Sequence, residues 1–450
     1  MKVISYIGAD RNLAFLQHFL GGLRWRSSYR SIPLLTATPH RPLIDEQITI
    51  KGRFLPPHCP VTLCAQIQNE DGHLWKSFAH YNTNAEGTVN LARDCSVGGS
   101  YLGCEPMGLF WGLQPVPAAL DILSMRKKNV ETPSVTLVSV LEGHVTPSEG
   151  HGNELTAITI ERWYMAPGVR RIKVCQNGIK ATLFLPPGPG PFPAMLDLWG
   201  LGRQLVETRS ALLASRGYAS LSLAYLGRNN SHGLENRMCV DHSYFQSAFQ
   251  LLQNHHQVCA DRVGIIGLSF GGYLSLRTAI QTAVKPSCLI CVSGPTGCMM
   301  KVIDADGRTE LFESDQRHWS YDDQGCVRFR ESTLPVNLCP EGRVKIEHLA
   351  CPLLYITGED DQIIASKEGA NLFKETLKAA GKSHLFTHWS YPGAGHVIEP
   401  PYTPHSRVSL WSRNPVKIVA LYGGYFAPHA VAQEDAWKKI LEFMEINLRQ

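Results

Sequence analysis

No apolar run in the 450 residues approaches the roughly 20 that a membrane-spanning helix needs, so stable membrane insertion is not expected. Acidic residues are missing from Arg11 to Ile44. Unbalanced charge is scarce everywhere else: the net +4 is carried by residues 1–40, where Lys2, Arg11, Arg24, Arg26 and Arg30 face Asp10 alone. The remaining chain is neutral in sum, and the basic face that a nucleic-acid partner requires is absent. Metal ligands are short as well. Cys288 and Cys291 have redox or zinc spacing, but no second Cys-x-x-Cys or suitably spaced histidine pair completes them. They stand inside the apolar run SCLICVSG, which reads as a buried strand, so they are taken as core cysteines and no metal or other cofactor is expected. Thirteen cysteines in no compact framework, an odd number, fit a reduced intracellular compartment better than a disulfide scaffold. The end of the chain, Asn-Leu-Arg-Gln450, is not the Ser-Lys-Leu of a peroxisomal address.

What is present changes character along the chain. In residues 1–40, Leu13, Leu16, Leu20 and Leu23 recur at helical spacing beside arginines. Basic, amphipathic and acid-poor composition is that of a transit peptide, so this leader predicts the mitochondrial matrix, with cytoplasm or peroxisome as the alternative. Residues 41–160 hold short β-branched or aromatic segments, among them Gln47–Lys51, Val61–Ala65, Leu74–Tyr81 and Val135–Leu141, separated by turn signals such as Leu55-Pro-Pro57 and Glu70-Asp-Gly72. That spacing predicts an antiparallel β-sandwich, with nothing at catalytic spacing. In residues 161–450 strands alternate with helices, the mark of βαβ units and a mostly parallel sheet. Strands are expected at Ala181–Leu185, Ala194–Leu198, Tyr218–Ala224, Val263–Ile266, Cys288–Val292, Pro352–Thr357 and His384–Trp389, with helices at 205–215, 244–254 and 273–283. A less regular insert at about 295–350 is expected to cap the site. Its acids Asp304, Asp306, Glu313 and Asp315 match no calcium loop.

The chemistry gathers on Val263–Leu274, VGIIGLSFGGYL. A buried strand runs into Gly267-Leu-Ser269-Phe-Gly271 and then into a helix, the context in which Gly-x-Ser-x-Gly makes a nucleophile elbow. The turn forces the serine backbone into strain, and a Cβ at 267 or 271 would collide with the neighbouring strand or helix. A serine hydroxyl needs a base, and the base needs an orienting acid. In α/β-hydrolases these follow in the order serine, acid, histidine. Gly358-Glu-Asp-Asp361 follows one late strand and Pro392-Gly-Ala-Gly-His396 the last, which supplies both in that order. Asp360 and Asp361 are equally placed by spacing, and the one not used is expected to cap the helix near Ser366. His388, His405 and His429 are weaker candidates for the base. The oxyanion hole is expected from the backbone N–H of Phe270 and one from Gly200-Leu201-Gly202, taken as Leu201.

Several segments carry a more specific resemblance: GGSYLGCEPMGLFWGLQP (98–115), MAPGVRRIKV (165–174), ATLFLPPGPGPFPAMLDLWGLGR (181–203), GEDD (358–361), GHVIEPPYTP (395–404) and HAVAQEDAW (429–437). From about residue 45 onward the chain resembles the type I acyl-CoA thioesterase and bile acid-CoA:amino acid N-acyltransferase family. The resemblance implies an immunoglobulin-like sandwich before an α/β-hydrolase domain. It also implies a triad of Ser269, Asp361 and His396, and so selects Asp361 where spacing did not. It implies an acyl-CoA thioesterase that releases fatty acid and CoA through an acyl-enzyme, with amino-acid conjugation to glycine or taurine as the alternative. Two departures stand out: Phe270 occupies the place of a lysine common in the family's thioesterases, and residues 225–239 lack a DDLP-type segment.

Overall fold

In the strand Leu74–Asn82 alternate side chains from Trp75 to Tyr81 are buried, the period of a strand with one face on a core. The computed structural model, which describes residues 32–116, 125–147, 153–201, 205–225, 242–297, 316–412 and 417–450, puts this strand in an antiparallel six-stranded sheet. Its long neighbours are Pro60–Gln68, Ser134–Glu142 and Glu154–Arg162. A three-stranded sheet of Leu34–Thr38, Thr49–Arg53 and Val89–Asn90 shares with it a core that includes Leu35, Ile50, Leu63, Trp75 and Val138. This is the β-sandwich that the turn spacing predicts. Leu34–Thr38 falls within the stretch read as a leader, yet it pairs in this sheet. Residues 1–31 of that leader lie outside the described residues.

Arg162, at the end of the last long strand, is buried with its guanidinium 4.5 Å from the Phe110 ring centre. Its Nη1 donates to the Tyr402 carbonyl at 3.0 Å and its Nη2 to the Ile44 carbonyl. Burial lowers its ionisation to about 10.

The second region is an eight-stranded sheet of β1 (Arg170–Gln176), β2 (Ile179–Leu185), β3 (Phe192–Leu198), β4 (Ala219–Ala224), β5 (Val258–Leu268), β6 (Leu289–Val292), β7 (Leu353–Gly358) and β8 (Phe386–Tyr391). The spatial order is β1-β2-β4-β3-β5-β6-β7-β8. β1, β2 and β4 pair antiparallel, and every neighbouring pair from β4-β3 to β7-β8 is parallel. With helices on both faces this is an α/β-hydrolase sheet, as expected. Alternate residues feed two cores: Ile265, Leu289 and Leu353 pack on one face, Ile266, Ile290 and Leu354 on the other. Burying each such side chain contributes about 1.5–3 kcal/mol. The first face carries α2 (His242–Gln253), α3 (Phe270–Gln281) and α4 (Ser366–Ala379); the second carries α1 (Thr208–Ser215) and α5 (Phe426–Leu448).

Cys288 and Cys291 belong to cores on opposite faces of this sheet, so they cannot share a ligand. Burial pushes the Cys291 thiol up to about 12 and the Cys288 thiol higher still. Among the described residues no group of three or more His, Cys, Asp and Glu could hold a metal, and no helix is long and apolar enough to cross a membrane.

The described part of the insert contributes Ser320–Tyr321 and Val327–Arg328 to a four-stranded sheet with Val408–Ser412 and Ile418–Leu421. Val327 and Phe329 pack there on Ile363, Ile364 and Ala420, beside the loop that carries Asp361. Asp304, Asp306, Glu313 and Asp315 lie outside the described residues, as do 226–239 of the divergent segment.

Candidate active site

The serine is placed by exclusion. Ser269 stands between β5 and α3 at φ 55° and ψ −125°, a left-handed backbone that a side chain adopts only under strain. A Cβ on Gly267 would lie 2.2 Å from the Gly271 carbonyl oxygen, and one on Gly271 would lie 2.2 Å from that of Leu198. Backbone therefore fills both positions, as the elbow reading predicts. α3 starts directly at Phe270, three residues earlier than the helix read from the sequence. Its positive end thus lies against the serine.

The histidine is placed by hydrogen bonds. His396 follows β8 in a loop whose N–H groups are claimed one after another: Gly395 donates to His429 Nδ1 at 3.1 Å and His396 to the Tyr422 carbonyl at 2.9 Å. His429 Nε2 then donates to the Val397 carbonyl at 2.9 Å, so this imidazole braces the loop on both sides of His396. Burial holds His429 neutral, well below its ordinary range, and lowers His405, stacked on it at 3.7 Å, to about 4. His405 Nε2 is held by the Gly423 carbonyl at 2.7 Å, and His388 Nε2 lies 3.0 Å from Thr357 Oγ1. None of these three contacts Ser269; His396 does.

His396 Nε2 is 2.8 Å from Ser269 Oγ, and His396 Nδ1 is 2.9 Å from Asp361 Oδ2. Asp361 Oδ1 accepts the N–H groups of Ile363 at 2.9 Å and Ile364 at 2.8 Å, which fixes the carboxylate. With Oδ2 as acceptor, Nδ1 carries the proton and Nε2 is free to accept from the serine hydroxyl. Asp361 and His396 are almost wholly shielded, at 1% and 3% exposure, while Ser269 keeps 9%. The line of contacts thus opens toward solvent at its serine end.

Asp360 lies elsewhere: its Oδ2 accepts from Gly424 N–H at 2.7 Å and its Oδ1 from Gln362 Nε2 at 2.8 Å. The expectation that the aspartate not paired with the histidine, here Asp360, caps the helix near Ser366 is therefore corrected. No side chain caps α4 at Ala365; the acid in its first turn is Glu368, and Asp361 Oδ2 lies 3.4 Å from Ser366 Oγ. One carboxylate, Asp361, both orients the histidine and holds the turn through the Ile363 and Ile364 N–H groups.

Trp199-Gly200-Leu201 passes alongside Ser269. A Cβ on Gly200 would lie 3.1 Å from Ser269 Cβ. The Gly200 carbonyl accepts from Tyr225 Oη at 3.2 Å. A trans peptide opposes its C=O and N–H, so the Leu201 N–H points away from Tyr225. Gly202 lies outside the described residues. The Phe270 ring is buried in the α3-side core, 5.8 Å from the Tyr273 ring, where Leu201 also packs. Behind this strand end a buried ion pair joins Arg209 on α1 to Asp197, whose Oδ2 also accepts from Ser210 Oγ at 2.9 Å. That network anchors the approach to Gly200.

Several contributors escaped the sequence reading. The Tyr422 ring stands edge-on to His396 at 5.7 Å, and Gly423 and Gly424 after it are both at positive φ. The Gly-Gly doublet was the available signal. Arg126 places its guanidinium 5.8 Å from the Trp199 ring centre, and nothing in its local sequence announced that. Burial raises the Glu399 carboxyl against the pull of Arg126 and Arg209. Arg209 and Glu399 line a cavity of about 10 Å³, room for one water and far too small for an acyl chain.

Two family descriptions match the chain: acyl-CoA thioester hydrolase/BAAT N-terminal region over residues 45–176, and BAAT/acyl-CoA thioester hydrolase C terminal over residues 240–450. Bile acid-CoA:amino acid N-acyltransferase of Mus musculus is 35% identical over 92% of this chain and 97% of its own. Acyl-coenzyme A thioesterase 1 of Rattus norvegicus is 35% identical over 90% and 94%, and the rat mitochondrial acyl-coenzyme A thioesterase 2 is 34% identical over 90% and 87%. Hydrolases and acyltransferases thus stand at equal distance.

Proposed function

Since the chain belongs to the acyl-CoA thioester hydrolase/BAAT family, we propose that it hydrolyses fatty acyl-CoA through an acyl-enzyme on Ser269. The observation that carries this reading is the Ser269–His396–Asp361 relay, at 2.8 and 2.9 Å. His396 Nε2 takes the hydroxyl proton as Oγ attacks the thioester carbonyl, and Asp361 stabilises the imidazolium that forms. The N–H groups of Phe270 and Leu201 receive the negative charge on the tetrahedral oxygen. His396 returns its proton to the departing CoA sulfur. Water, deprotonated by the same nitrogen, then cleaves the ester to fatty acid. Ser269→Ala should lower turnover by a factor on the order of 10⁴ or more with an unchanged melting midpoint. Retained turnover would overturn the assignment.

Conjugation to glycine or taurine is the second reading, favoured by the relatives named as N-acyltransferases. Both reactions share the acyl-enzyme and differ in what attacks it. By family resemblance the acyltransferase nucleophile is a cysteine, whose thioester suits aminolysis, so serine at 269 supports hydrolysis. Taurine added to an acyl-CoA assay separates the two: conjugate as the main product would displace the hydrolase reading. A catalytically silent binding protein is a third class, and a serine-reactive fluorophosphonate that fails to label Ser269 would favour it. The acid-poor leader supports delivery to mitochondria, which a fluorescent fusion of residues 1–40 tests directly.

A further inference from the structure

Outside the candidate active site, two exposed cysteines flank an isolated antiparallel bridge. Ser96 and Gly103 form an isolated antiparallel bridge and exchange both hydrogen bonds, Ser96 N–H to Gly103 O at 2.8 Å and Gly103 N–H to Ser96 O at 3.0 Å. In an antiparallel ladder the pair next to such a doubly bonded pair is non-hydrogen-bonded, with Cα atoms about 4.5 Å apart. The Ser96–Gly103 bridge is isolated, and one step further in its register Cys95 stands opposite Cys104. That regular ladder spacing is of the size that a disulfide spans, roughly 4.4–6.8 Å. Alternation agrees: Ser96 is buried and Cys95 and Cys104 are both exposed. Charge on either sulfur is felt by the Tyr81 hydroxyl, which places both near one patch. The core cysteines Cys64, Cys288, Cys291, Cys326 and Cys351 have no such access.

We propose that Cys95 and Cys104 form a reversible thiol–disulfide site, closed by exchange with a low-molecular-weight disulfide such as glutathione disulfide. One thiolate attacks the disulfide, forming a mixed disulfide and releasing one glutathione thiolate. The second cysteine, as thiolate, attacks the protein sulfur of that mixed disulfide and releases the other glutathione. The two protons from the cysteines end on the two glutathiones; two protein thiols are oxidised and one disulfide is reduced. The bond closes a ring around the loop whose Tyr101 meets Tyr81 Oη at 2.9 Å and packs on Trp111 at 5.6 Å.

The test is exposure of the full-length protein to glutathione disulfide, followed by quenching and peptide mapping. The expected product is a Cys95–Cys104 crosslink carrying no glutathione, reversed by dithiothreitol. Cys95→Ser and Cys104→Ser should each trap a glutathionyl adduct on the surviving partner. Exposed Cys175 is the control for simple adduct formation. Separate stable adducts on Cys95 and Cys104 in the unmutated protein would overturn the proposal. So would two unmodified thiols under conditions that modify Cys175.

Discussion

The serine and the histidine sit 2.8 Å apart and are secured by opposite means. At Ser269 the fold uses occupied volume: glycines with no room for a Cβ, and a backbone angle held against its preference. At His396 it uses directed polar contacts from the tail of the chain, namely the Tyr422 carbonyl and the His429 ring. The first arrangement is written in five consecutive residues, Gly267–Gly271, and closed by the Leu198 carbonyl; the second draws on groups more than twenty positions past His396. A steric site should be insensitive to pH and intolerant of added atoms, and a hydrogen-bonded one the reverse.

Asp361→Asn separates these most sharply. The Asn oxygen can still accept from Ile363 and Ile364, so the fold should survive, but its amide would donate to Nδ1 and leave Nε2 protonated. Turnover should fall by about 10⁴, near 5 kcal/mol of transition-state stabilisation, whereas Asp360→Asn should remain within a few-fold. Steady-state rates on both variants check this. Gly271→Ala attacks the steric side, where the new carbon meets the Leu198 carbonyl and backbone must shift. A loss of about 3 kcal/mol or more is expected in the urea midpoint.

Acid should loosen the hydrogen-bonded side alone. His405 is refused its proton in the folded chain until about pH 4, while in the unfolded chain it takes one near pH 6.5. Its contribution is therefore present above about pH 6.5, falls as pH drops toward 4 and levels off below, for a total of about 3 kcal/mol. Melting midpoints across that window should slope, and His405→Gln should reduce the slope while His429 keeps its share. The smallest effect is Ser269→Gly. Relief of the φ 55° strain should raise stability by about 1 kcal/mol over Ser269→Ala, read as a higher melting midpoint.

The same contrast explains what the sequence disclosed. An elbow made by neighbours writes itself into neighbours, so Ser269 and its glycines were legible from 263–274 alone. The order of acid and histidine after late strands followed from topology. Choosing Asp361 over Asp360 did not, because adjacent residues in a tight loop diverge only through partners such as Gly424 and His396. The strand Glu154–Arg162 stayed hidden since it buries only Ile160 and Arg162 fully and lacks a clean apolar face. The strands Val408–Ser412 and Ile418–Leu421 are short and mostly half-buried, with equally little contrast. In α5 the buried stripe Ala432, Ala436, Ile440 and Met444 begins with alanines, which dilute a helical signal that was present.

Arg162 carries a different lesson. Its two bonds clasp a carbonyl between the first two strands of the sandwich, at Ile44, and one six positions past His396, at Tyr402. Deleting the first 165 residues would strip the Tyr402 oxygen of this donor in the very segment that leads away from the catalytic loop. The sandwich is thus a keystone for the hydrolase half, and a truncated enzyme should be judged by where its histidine settles before its rate is measured.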